Sequence, residues 1–166
     1  MGITESVLIL AGYVLAHSAY SISDVPKGEL LCPLAIIESS DGQRLIRFEA
    51  DTQEEAIANA KEELEKLKST SVAWAFGRES IIRDDNGNPR DFITVSAWSE
   101  GMEVEVYMLQ QFKPYHIDKE FKLIGEIQIA IDGQLLEQSQ AKKLIEIVNS
   151  GVEQHPQFIA WQKWRS

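Results

Sequence analysis

Residues 72–131 read VAWAFGRESIIRDDNGNPRDFITVSAWSEGMEVEVYMLQQFKPYHIDKEFKLIGEIQIAI, and they decide the fold. The stretch writes one pattern four times. Val72, Trp74 and Phe76 point one way and Ala73, Ala75 and Gly77 the other. Phe92, Thr94, Ser96 and Trp98 alternate with Ile93, Val95 and Ala97. Met102, Val104, Val106 and Met108 alternate with Glu103, Glu105 and Tyr107. Gly125, Ile127, Ile129 and Ile131 alternate with Glu126 and Gln128. Successive side chains alternate across a sheet, so these runs predict strands with a buried face. Asp84-Asp85-Asn86-Gly87-Asn88-Pro89 carries the Asn-Gly hairpin signal, and Ser99-Glu100-Gly101 marks a second turn. A longer connection runs through Lys113-Pro114-Tyr115-His116, and Asp132-Gly133 closes the last strand. Short connections predict an antiparallel meander.

Upstream, Thr4 is placed to cap a helix over residues 5–23, and Pro26 and Gly28 break the chain after it. Residues 30–38 form a nearly continuous apolar strand, with Pro33 arguing for an edge or a bulge. Ser39-Ser40-Asp41-Gly42 turns the chain into a second strand over Arg44–Ala50. Thr52 with Glu55 reads as a capping box that opens a helix over 53–68. Its apolar stripe is Ala56, Ile57, Ala60, Leu64 and Leu67, and its Glu62–Lys66 and Glu65–Lys68 spacings suit weak surface pairs. Downstream, a helix is predicted over 137–150, with Gly151 as its stop. His155-Pro156 starts a short helical tail within 152–166. The expectation is one α+β domain over 1–166, an antiparallel sheet of about six strands with helices packed on it. The order is α-β-β-α-β-β-β-β-α plus the short C-terminal helix.

The chain has 166 residues, a size that buries roughly 70% of the unfolded surface. Sixteen basic residues are scattered among 26 acidic ones, for a net charge of −10. Phosphate backbones are bound by Lys and Arg clusters, so nucleic acid is an unexpected partner. An acidic surface keeps a protein soluble, and it can attract a basic protein partner. Cys32 is the one cysteine, which leaves no intramolecular disulfide and no cysteine-based zinc site within one chain. Val7–Ala16 is apolar, but Glu5 precedes it where a signal peptide carries basic residues. It is also shorter than the roughly 20 residues of a membrane span. It reads as a buried helix, and no membrane association is expected. Met1–Ser6 matches the short N-myristoylation pattern, which matters only where the transferase exists. The expected location is cytoplasmic.

The sharpest constellation lies on the first helix. Tyr13, His17, Tyr20 and Asp24 are spaced by four, three and four residues, which stacks them on one face. An imidazole between phenols and followed by a carboxylate suits a general base or proton relay, which makes His17 the one weak catalytic candidate. The same spacing also describes an amphipathic rim whose polar tips reach water. Tyr115, His116 and Asp118 form a second cluster, in a loop. A metal site would need His17 and His116 to meet beside a carboxylate, and none is expected. Asp84–Asn88 fails the calcium-loop pattern because Pro89 follows and Val95 holds the twelfth place. Dinucleotide, P-loop, zinc-protease and nucleophile-elbow motifs are all missing, and no cofactor is expected. Trp98 follows Thr94 and Ser96 on its strand, a pattern that suits a partly polar pocket. Phe158, Trp161 and Trp164 must pack on the chain's own sheet or on a partner, so they are the interface candidates.

These features predict a non-enzymatic binding or accessory protein that self-associates as a homodimer. The alternative is a small-ligand binder, or an enzyme, with a pocket near Tyr13, His17, Tyr20 and Trp98. A cleft beside His17 separates the alternative from the first expectation.

Overall fold

The alternation of residues 72–131 becomes the centre of a seven-stranded antiparallel sheet in the computed structural model, which describes residues 3–165. In chain order the elements are α1 (Glu5–Ile22), β1 (Leu34–Ser39), β2 (Gly42–Arg47), α2 (Gln53–Leu67), β3 (Ala73–Arg83) and β4 (Pro89–Ser99). Then follow β5 (Val106–Lys113), a single 3-10 turn (Tyr115–Ile117), β6 (Lys122–Ile131), β7 (Gln134–Leu135), α3 (Gln138–Glu153) and α4 (Phe158–Arg165). The strands lie in the order β2-β1-β3-β4-β5-β6-β7, and every pair is antiparallel. The hairpin and the meander therefore make one continuous sheet. Met1 and Gly2, on which the myristoylation pattern rests, lie outside the described residues, as does Ser166.

The register divides the sheet into two faces. Trp74 pairs with Trp98, Ala75 with Ala97 and Gly77 with Val95, so small residues line one face and indoles the other. The space beside Gly77 is filled by Ser18 and Val14, which puts α1 on the small-residue face. Without bulky side chains there, the helix backbone approaches the sheet closely. Most of α1 is apolar: Val7, Leu8, Ala11, Val14, Leu15 and Ala19 are almost wholly buried. A helix with this composition belongs in a core, and α3 and α4 cover the rest of it. Although α1 has the length and apolar composition of a membrane span, most of it is buried inside the protein. On the opposite face α2 covers Trp74 and Phe76 through Leu64. Helices thus pack on both faces, because the central strands are apolar on both.

Local signals explain most boundaries. Thr4 accepts from Val7 N–H at 3.2 Å and Thr52 from Glu55 N–H at 3.1 Å, so both N-caps form, the Thr52 cap as the threonine half of the expected capping box. Lys66 pairs with Glu62 at 3.4 Å and Lys68 with Glu65 at 3.0 Å. Five expectations need correction. The third meander strand runs over Val106–Lys113, because Met102–Glu105 belong to the turn region after Ser99. The sheet has seven strands, because Asp132 and Gly133 take positive φ and fold Gln134–Leu135 back on β6. The first strand starts at Leu34 and not at residue 30, since Pro33 has no N–H to pair. The second is shifted to Gly42–Arg47 and is largely exposed. Gly151 does not stop its helix; α3 runs through it to Glu153.

Candidate functional site

The run of α3 through Gly151 is the local event that builds the site. A Cβ on Gly151 would overlap the carbonyl of Ile9, and one on Gly12 would overlap the carbonyl of Val148. Helices α1 and α3 therefore cross backbone to backbone, each glycine making room for the other helix. The crossing delivers His155, just beyond α3, onto α1. His155 is buried, and its Nε2 lies 3.0 Å from His17 Nδ1. The His155 ring also sits 5.0 Å from the Tyr13 ring and 6.0 Å from that of Tyr20, between centroids.

The protons in this pair follow from the hydrogen bonds. His155 Nδ1 accepts from the Gln157 backbone N–H at 3.0 Å, so it carries no proton. A neutral His155 then has its proton on Nε2 and donates it to His17 Nδ1. His17 in turn carries its own proton on Nε2, which is buried and has no hydrogen-bond partner. Burial lowers the pKa of His17, and the positive charge of Arg47 lowers it further. Burial likewise lowers that of His155, with a smaller contribution from His17. Any added proton would land on an atom already accepting a hydrogen bond, so both rings are held neutral.

Against His17 lies an open cleft of about 590 Å³ between α1 and the β1–β2 hairpin. Ile9, Leu10, Ile36 and Leu45 give it an apolar lining, while Tyr13, His17, Arg44 and Gln154 are among its polar residues. Glu38 also lines it, with one carboxylate oxygen accepting from Gln43 Nε2 at 2.7 Å. This volume and mixture suit a small organic ligand.

Of the residues singled out in the sequence, Tyr13 and His17 line this cleft together. Tyr20 is partly exposed and touches the site only through His155. Asp24 lies past the end of α1 and is exposed, so the four-residue stack stops short of it. Trp98 belongs to the other face of the sheet, with its Nε1–H bonded to the Met102 carbonyl at 3.1 Å. Its strand neighbours Thr94 and Ser96 do face a partly polar cavity, about 210 Å³, beside α2. Tyr115 and His116 line a smaller cavity of about 150 Å³ with Glu79 and Asp91, whose carboxyl pKa values burial raises. Asp118 pairs with Lys113 at 2.6 Å. His17 thus meets His155 and not His116, and no group of three or more metal-ligating side chains exists among the described residues. Burial and Glu49 raise the pKa of Cys32, which leaves a poor nucleophile.

The tail aromatics pack on the chain itself. Trp161 is buried in the core, and Trp164 meets Phe121 edge-on at 4.9 Å. Phe158 is half-buried against the same core. Arg165 fastens the end, 3.1 Å from Glu126. His155 is the member of the candidate site that sequence reasoning missed: nothing local ties it to residue 17. The trace that pointed to it was a pair of glycines inside two helical patterns. Comparison with protein-family models, curated proteins and solved structures found no match to this chain.

Proposed function

We propose that this is a non-enzymatic binding protein whose ligand site is the cleft between α1 and the β1–β2 hairpin. The state of His17 on its wall, set by His155 behind it, carries the reading. A general base needs a free lone pair near its substrate. His17 spends its lone pair on His155, and His155 spends its own on the Gln157 N–H. The pair is built to hold a shape and present a proton, which is what a binding wall does. The test is a fragment screen followed by amide chemical-shift mapping on the isotope-labelled protein. Binders should shift Ile9, Tyr13, Leu45 and Gln154 together. Hits that map consistently elsewhere, or none across a broad library, count against the cleft.

Self-association is a second reading, and one observation favours it. β2 is an edge strand, paired on one side only and exposed along its length. Unprotected edges invite a further strand, and a second copy would extend the sheet across a two-fold axis. Leu45→Pro, which removes an edge N–H, should then reduce the sedimenting mass. A wild-type chain that sediments as a monomer at all concentrations rules this reading out.

A further inference from the structure

We propose that the cleft takes an organic carboxylate with an apolar body, the carboxylate accepting the proton that His17 presents from Nε2. This rests on the cleft being the ligand site and goes on to say what chemistry it selects. Buried polar hydrogens nearly always have an acceptor, and each exception calls for an explanation. Here the His155–Gln157 chain fixes the proton on His17 Nε2, and no protein atom receives it. Three further observations choose the acceptor. Burial is the larger reason His17 resists a positive charge, and the Arg47 guanidinium adds to it, so a cation stands near this ring to offset the charge of a bound carboxylate. Arg44 lines the same cleft and supplies a positive charge opposite to that of Glu38, one of whose oxygens accepts from Gln43 Nε2. Ile9, Leu10, Ile36 and Leu45 offer contact to an alkyl or aryl body, which inorganic phosphate lacks. Nε2 sits behind the cleft surface, so the ligand must move a side chain aside, an ordinary change at binding sites.

Three probes separate the parts of this inference: octanoate, octanol and inorganic phosphate, each titrated into the full chain by calorimetry and by amide and imidazole NMR. Octanoate should shift the cleft residues and move the His17 Nε2–H resonance downfield. Octanol should bind about tenfold more weakly, the scale of one charge-assisted hydrogen bond, and phosphate should leave the cleft unshifted. His17→Phe should weaken octanoate selectively. Arg47→Gln changes an exposed residue and is safe for folding; it should weaken octanoate several-fold while leaving octanol unchanged. Equal binding of octanoate and octanol in the cleft overturns the carboxylate and leaves the cleft reading standing. Failure of octanoate to bind, or an unmoved His17 resonance on binding, also overturns it. The fragment screen then judges the cleft separately.

Discussion

Gly12→Ala tests the contact on which both the fold and the site depend. An added Cβ overlaps Val148 O and falls 2.9 Å from Val148 C and 3.0 Å from Val152 N. All three are backbone atoms, so no rotamer change relieves them, and α1 and α3 must part by roughly 1 Å in an interior packed at crystal density. Overpacking of this kind typically costs 1–3 kcal/mol, and more when the obstacle is rigid. The gain in helix propensity returns about 1 kcal/mol. A rigid backbone obstacle places the gross cost above the usual range, so the expected net loss is about 3 kcal/mol. For a chain of this size that lowers Tm by roughly 6–12 °C. Urea unfolding followed by tryptophan fluorescence measures the free energy, and the imidazole resonances report the second consequence. Parting the helices lengthens the His17–His155 bond, so both ring signals should move. Gly151→Ala should act in the same direction. The double variant should cost less than the sum, because the first separation makes room for the second methyl. A Gly12→Ala protein within about 1 kcal/mol of wild type refutes the backbone crossing. A destabilised protein with unmoved imidazole signals refutes its link to the site.

Trp74→Ala should cost about 3–5 kcal/mol, the range for deleting a buried aromatic, since Trp74 is 3% exposed and packs against Trp98. An unchanged urea midpoint would contradict that burial. Truncation after Gln154 removes His155 and Trp161 from the core, so it should lower stability at constant sedimenting mass; a change from dimer to monomer would instead make the tail an interface. The imidazole pair sets the pH response. Both histidines are held below 6.5 in the fold, so the unfolded chain takes up protons first as pH falls. Their contribution is complete above 6.5 and drains as pH drops from there through the folded values. Glu79 and Asp91, whose pKa values burial raises, act with the opposite sign as pH falls through their folded values, so a variant lacking both histidines isolates the histidine part. The urea midpoint should therefore fall between about pH 6.5 and 5, and the His17→Gln/His155→Gln double variant should flatten that slope. A wild-type midpoint that is constant over this interval would contradict the neutral pair.

What could be read from the chain was whatever neighbours a few residues apart decide. The alternation of β3, β4 and β6, the Asn86-Gly87 turn and the Thr4 and Thr52 caps each depend on a short window, and each appears in the structure. The four-residue step from Tyr13 to His17 is of the same kind, and those two residues do share the cleft. Asp24 departed from the expected stack because α1 ends at Ile22, so the face is not continued to it; Tyr20, still helical, stays beside the His155 ring but is exposed. Trp98 separated from them for a topological reason: its pairing with Trp74 puts it on the face α1 does not cover. The decisive contact joins residues 138 apart in sequence, and no periodicity reaches that far. Gly151 shows why a sound local rule failed there. Read alone, a glycine after an amphipathic run is a helix stop. Inside a helix it costs about 1 kcal/mol relative to alanine, a cost that is offset only if something useful fills the space of the missing side chain. Here the carbonyl of Ile9 fills it, and Val148 fills the matching space at Gly12. One such glycine is ambiguous. Two, one in each of two helical patterns, describe a crossing, and that crossing carries His155 to His17 and fixes which nitrogen of His17 holds its proton.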